Sequence, residues 1–333
     1  MPMTDSGKRR LRFHLFLGCL VLVLAGCTSP RPTSSPLHLP TRIPPTPTLE
    51  RSEVALRAYE AGLARRAAGD VEGALEQFSR ALVADPAFAP AYVERGSLYL
   101  ALEEPEAALL DAQAALASDP GDGFACALLG EVLRLGFNDV AQALEAYEQA
   151  VRLDPSLAGP LFPARWRAAV AAGRADRMVA LANEYLNAYP DDPLAAYYLG
   201  RALTALGNPR AAIRTLVDAL EEGGPAAVWF ALGEAYRAER AWPEAKVCYE
   251  QARALAETGD PSLNLVSDTP VADLFTGLGA AYVYVGECTS ARVMLEHALA
   301  VGPDRPEMHT LLGQAMICQT PTPTPTPYPW MNP

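Results

Sequence analysis

Little in this sequence is equipped for chemistry. Its four histidines, His14, His38, His297 and His309, stand at no ligand spacing from one another, from cysteines or from carboxylate pairs, so no metal is expected. No glycine-rich loop ends in Lys-Ser or Lys-Thr, and no Gly-x-Ser-x-Gly elbow occurs; phosphate-cradling and serine-hydrolase sites therefore lack their core motifs. Gly277-Leu278-Gly279 follows no strand and does not make a dinucleotide loop. Basic residues are outnumbered, 27 Lys and Arg against 39 Asp and Glu, for a formal net charge of −12, which argues against nucleic acid as a partner. Aromatics are only 8% of the chain and β-branched runs are few, so helix is the better expectation. The sequence points to no enzyme and no cofactor.

What the chain does have is concentrated by position. Lys8, Arg9, Arg10 and Arg12 form a positive start, followed by an apolar run over residues 15–25 that is too short to span a membrane stably. This is signal-peptide logic. The run closes in Leu24-Ala25-Gly26-Cys27, which resembles the bacterial lipobox. That resemblance implies cleavage after residue 26 and a diacylated Cys27, giving a protein anchored to the membrane by lipid, on its extracytoplasmic face, without spanning it. An acidic body would not itself be drawn to an anionic lipid surface.

Residues 27–52 follow as a linker. The stretch 28–50 holds seven of the 30 prolines and no hydrophobic period; in polyproline II form it would reach about 60 to 70 Å. A second Thr-Pro stretch, residues 319–333, ends the chain. Among the six cysteines, Cys19 belongs to the signal and Cys27 to the lipid site, leaving Cys126, Cys248, Cys288 and Cys318. An exported protein can oxidise these. Cys288 and Cys318 lie in consecutive helical units and are candidate neighbours, while free buried thiols acting as small apolar residues are the other reading.

Between the flanks a glycine recurs at Gly62, Gly96, Gly130, Gly200, Gly233, Gly279 and Gly313, at gaps of 34, 34, 70, 33, 46 and 34 residues. The period is 34 with one member skipped and one insertion. Prolines recur at Pro86, Pro120, Pro155, Pro190 and Pro303, and alanines fall in columns between, as at Ala74 and Ala81 or Ala245 and Ala252. Small residues let helices approach closely, Phe78, Tyr147 and Tyr249 fill the space beside them, and proline stops the second helix of each unit. Asp85, Asp119 and Asp154, each before a proline, read as turn formers. A helix pair of this size cannot bury its apolar face alone, so neighbours must stack.

This pattern resembles the tetratricopeptide repeat family. It stands as Tyr92, Gly96, Tyr99 and Pro120 in one unit, and as Trp229, Leu232, Gly233, Tyr236, Ala245, Tyr249 and Ala252 in another. The resemblance implies an all-α fold: a right-handed superhelical solenoid over residues 53–318, with about seven helix pairs, a capping helix and disordered Pro/Thr-rich flanks. The fourth unit departs from the pattern. Trp166 replaces its glycine, and Pro160 and Pro163 are expected to break its first helix early and kink the array.

In this family the first helix of each pair lines a concave groove that holds a protein or peptide segment. Carried over by position, the resemblance puts Tyr59, Glu94, Ser97, Glu131, Arg134, Arg167, Tyr197, Arg201, Phe230, Glu234, Arg237 and Thr276 on the inner wall. Four of these are arginines from successive units, suited to a partner's carboxylates. Glu131 with Arg134, and Glu234 with Arg237, are also spaced to pair within their own helices. Family members that clamp a carboxyl terminus use Lys and Asn in the groove, and neither stands here. The insertion near residues 257–270 is either a contact loop or a tolerated surface insertion. The expectation is a lipid-anchored scaffold; the alternative is a spacer or self-associating element of the cell envelope.

Overall fold

The computed structural model describes residues 47–220 and 223–319, with only the backbone of 47–50, 318 and 319. Cys27, the signal segment, most of the linker and the Thr-Pro tail lie outside the described residues. Within them the chain is all α, with no strand. Helices come in antiparallel pairs: α1 (Pro47–Ala67) with α2 (Val71–Ala84), α3 (Ala89–Ala101) with α4 (Pro105–Ser118), and α5 (Gly123–Glu131) with α6 (Val140–Leu153). Next come α7 (Ala158–Ala171) with α8 (Ala175–Ala188), and α9 (Pro193–Ala205) with α10 (Pro209–Asp218). The last are α11 (Ala226–Ala238) with α12 (Trp242–Glu257), α13 (Pro270–Val285) with α14 (Cys288–Val301), and the single α15 (Pro306–Gln319). Helix α1 takes up the final residues of the expected linker, since Pro47 at its start lacks only an N–H that the first turn would leave unpaired.

The 34-residue glycine column marks where the two helices of a pair meet. A Cβ on Gly130 would lie 2.6 Å from the Tyr147 ring, and one on Gly233 would lie 2.8 Å from the ring of Tyr249. Each contact thus joins a residue without a side chain to a large one on the second helix of the same pair. Gly313, on α15, has nothing within 4 Å of that position. The aspartates before proline form local turns as expected: Asp85 accepts from Ala87 N at 3.0 Å, Asp119 from Gly121 N at 2.9 Å and Asp154 from Ser156 N at 2.9 Å. Asp70, Asp122 and Asp139 cap helices in the same manner, satisfying first-turn N–H groups.

The fourth pair corrects the expectation of a broken helix. α7 is continuous with Pro163 inside it; Pro160 sits in the first turn, where no backbone bond is lost. Trp166 is 2% exposed and packs edge-on against Tyr198 at 4.8 Å, in a cluster with Phe162, Tyr185 and Tyr197. Sixteen residues after Trp166, where Gly62 and Gly233 find Phe78 and Tyr249, stands the buried Ala182. Large and small have changed helices, and the pair still sets one bulky buried side chain against a small one. The backbones of these two helices approach each other closely at fewer positions than those of any other pair described.

Cys126 and Cys248 are free buried thiols. Cys288, at the start of α14, is disulfide-bonded. Its expected partner, Cys318, lies among the residues whose side chains are not described.

Candidate functional groove

First helices line the inner face, and successive ones pack on each other at α3–α5, α9–α11, α11–α13 and α13–α15. The face divides into two sections. In the first, α1, α3 and α5 form a hollow of about 480 Å³ with Val93, Ser97, Leu100, Phe124, Leu128 and Leu135 on its wall. Phe124 is 55% and Leu135 58% exposed. Burial would be favourable for such side chains, by about 1.5 to 3 kcal/mol each when complete. Leu135 lies on a π-helical turn, Val132–Gly136, that continues α5. The charges at the rim are already matched: Arg66 pairs with Glu94, and Arg134 donates to Glu131 at 2.9 Å.

The second section is filled from within. The insertion after α12 does not loop out into solvent. Its short 3-10 turn, Pro261–Leu265, packs against α11, α12 and α13, with Leu263 and Val266 each 4% exposed. Groove side chains bind its backbone: the Tyr197 hydroxyl donates to Leu265 O at 3.1 Å, and Arg201 donates to Val266 O at 3.0 Å and to the Tyr197 oxygen at 3.1 Å. The strap in turn caps α11. Asp260 accepts from Ala226 N at 2.8 Å, and the Ser262 hydroxyl from Ala227 N at 3.0 Å. Burial pushes the Asp260 carboxyl up, but its hydrogen bonds from Ser262 and Ala226 hold it below the usual carboxylate range. At the far end Asp273 and Thr269 are tied to Arg305.

Behind the strap a cavity of about 260 Å³ remains, with Arg201, Phe230, Glu234, Arg237 and Thr276 on its wall. Arg237 donates to Glu234 at 2.6 Å, and the Tyr249 hydroxyl donates to the same carboxylate. Desolvation raises the Glu234 pKa, yet Arg237, Tyr249 and Arg201 together bring it below its ordinary value. The arginine stripe is therefore not a row of free donors. Arg134 and Arg237 are paired within their helices, Arg201 holds the strap, and Arg167 faces Asp268 at 3.7 Å.

Three positions expected on the wall, Tyr197, Phe230 and Thr276, are buried. Tyr197 is fully buried because the strap covers it. Tyr59 is half-buried and packs between Phe78 and Phe88, at ring distances of 5.8 and 5.3 Å. Glu94, Ser97 and Glu131 share the open hollow; Arg134 and Arg167 border a smaller one with Asp268. Among the described residues no group of three metal-ligating side chains occurs, and no helix is long and apolar enough to cross a membrane.

Residues 50–123 and 199–256 match one tetratricopeptide repeat family model, and residues 125–157 match a second. These stretches, close to half of the chain, are similar to tetratricopeptide repeats. The stretch left between the matches, 158–198, contains the fourth pair, whose large and small residues are exchanged. No curated protein matches the sequence. A tetratricopeptide repeat protein from Parabacteroides merdae is similar in structure, with a TM-score of 0.60 at 15% identity over 79% of this chain and 99% of that one. The C-terminal part of a TPR repeat-containing protein from Cytophaga hutchinsonii aligns at 0.49, with 16% identity over 76% and 99% of the two chains. The first of these likenesses supports a tetratricopeptide solenoid fold and extends no further than the fold.

Proposed function

We propose that this chain is an extracytoplasmic scaffold, held at a membrane by lipid on Cys27, which binds a segment of another protein in the α1–α5 section of its groove. One observation carries the location: two large apolar side chains, Phe124 and Leu135, stand more than half exposed in a hollow, whereas at α9 the strap covers Tyr197 and binds Arg201. Because the rim charges are paired, the segment it suits presents apolar side chains and needs no net charge. The anchoring rests on the basic start, the short apolar run and Leu24-Ala25-Gly26-Cys27. A scaffold of this kind would bring its partner to the membrane surface as an envelope assembly forms.

The experiment is in-cell photo-crosslinking from position 124 or 135, with position 230 behind the strap as the control. Capture of one discrete heterologous protein from 124 and 135, but not from 230, is the expected result. Crosslinks to further copies of this chain alone would favour the spacer reading. Equal capture from 230 would remove the distinction between open and filled sections. Labelling with a radioactive or clickable fatty acid, lost in Cys27→Ser, tests the anchor.

A further inference from the structure

A second apolar groove lies away from the inner face, between α10, α11 and α12. Its volume is about 440 Å³, and Val217, Leu220, Trp229, Leu232, Tyr236 and Val247 form most of its wall. The end of α10 borders it. α10 ends after 10 residues at Asp218, while α4, α6, α8 and α14 each run for 14. On its wall Trp229 is half-buried and Val247 is 49% exposed. Cys248 lies at the floor, its thiol pushed up to about 12 by burial and by Glu244, so it behaves there as a small apolar side chain.

We propose that this groove is the docking site of the chain's own tail, the Thr-Pro run from residue 320 that leads into Tyr328-Pro329-Trp330-Met331. Three features favour that occupant. The first is chemistry: grooves walled by aromatic side chains take polyproline II segments, whose backbone is already extended and loses little freedom on binding. Residues 320–333 carry no charged side chain, which suits a groove whose wall has one carboxylate, Glu244, among apolar side chains. The linker, by contrast, carries Arg31, His38 and Arg42.

The second feature is position. α15 packs antiparallel on α14 and has the same length of 14 residues, so its end returns beside the start of α14. The start of α14 adjoins the start of α12, as Lys246 and Glu287 pair at 2.7 Å and the Trp242 ring stacks on Tyr284 at 4.0 Å. Val247 and Cys248 lie in the first two turns of α12. The tail therefore leaves the solenoid at the end of the stack where Tyr236, Glu244, Val247 and Cys248 wall the groove, while Val217, Leu220 and Trp229 wall its other end.

The third feature is reach. From α15 past α14 and α12 to the groove is three helix spacings or fewer, on the order of 30 Å. From Gln319 to Trp330 a polyproline II chain extends about 34 Å. The linker joins the solenoid at α1, five units from α11, and is much the more distant candidate.

The test uses the full chain with a photoreactive residue at position 330, as an equal mixture of isotopically light and heavy protein. Expected are intrachain crosslinks to α10, α11 or α12, with a yield lowered about tenfold or more in Val247→Glu, because an apolar groove disfavours an unpaired carboxylate by at least one decade in affinity. Val247 is half exposed, so that variant keeps its helical signal. Crosslinks between light and heavy copies, crosslinks spread over other helices, or a yield unchanged by Val247→Glu would each overturn the proposal. So would capture of the groove by a probe placed at Pro40 in the linker.

Discussion

The two sections of the groove share one repeat pattern and differ in what stands over it. In α9 and α11 the positions flanking the glycine column are Tyr197, Arg201, Phe230 and Glu234, and the chain itself occupies the space in front of them. In α3 and α5 the corresponding positions are Val93, Ser97, Ala127 and Glu131, and the hollow there is open, with Phe124 and Leu135 exposed at its edge. A tetratricopeptide groove is thus not uniform along its length. Position in the repeat decides which residues face inward, and an insertion several helices away in sequence decides which of them a partner can reach.

The largest expected effect comes from breaking the filled section. Val266→Asp places a carboxylate where the side chain is 4% exposed and should cost about 3 kcal/mol or more of stability, read by urea unfolding. Capture from position 135 should persist if the protein is kept at a temperature where it remains folded. Next in size, Arg201→Ala removes the donor to Val266 O and to the Tyr197 hydroxyl. A loss of about 1 to 2 kcal/mol is expected, with faster amide exchange in residues 261–266 and no change in α3 or α5.

Acid should loosen the same section. Asp260 has a folded-state pKa below its ordinary value, so the stability it contributes is complete above the ordinary carboxylate range and is lost as pH falls from there through the lowered folded value. The protection of Ala226 and Ala227, relative to the intrinsic exchange rate at each pH, should fall over that acid interval, and Asp260→Asn should abolish that fall. The smallest effect on stability sharpens the open section. Phe124→Ser, at a half-exposed position, should change unfolding free energy by no more than about 0.5 kcal/mol while reducing partner capture from position 135. A large loss of stability would mean that Phe124 belongs to the core and not to a binding wall.

The fold was readable because the glycine column and its large partners are a direct record of helix contact: where a Cβ would meet the Tyr147 or Tyr249 ring, only glycine fits. The fourth pair was harder, since Trp166 breaks the column and only Ala182, sixteen residues on, reveals the exchange. Pro160 and Pro163 looked like helix breakers, but the penalty for proline depends on which turn it occupies. The groove was half readable. Repeat position placed Glu94, Glu131 and Glu234 on the inner face, and the three-residue spacing of Glu131 with Arg134 foretold their pairing. Nothing in the period foretold that the insertion would turn inward over Tyr197. Its own composition held the signal: Leu263, Leu265 and Val266 are apolar residues that a solvent loop has no reason to carry.

The central claim is that the strap is a fixed part of the groove, and the amides of Ala226 and Ala227 test it most directly. They begin α11, where first-turn N–H groups have no helical partner, and their acceptors are Asp260 and Ser262 of the strap. Residue-resolved hydrogen exchange on the full chain near neutral pH should find both amides protected nearly as well as the interior of α11. Exchange at the rate of an open first turn, with the rest of α11 protected, would show the strap undocked and the groove continuous, contradicting the account.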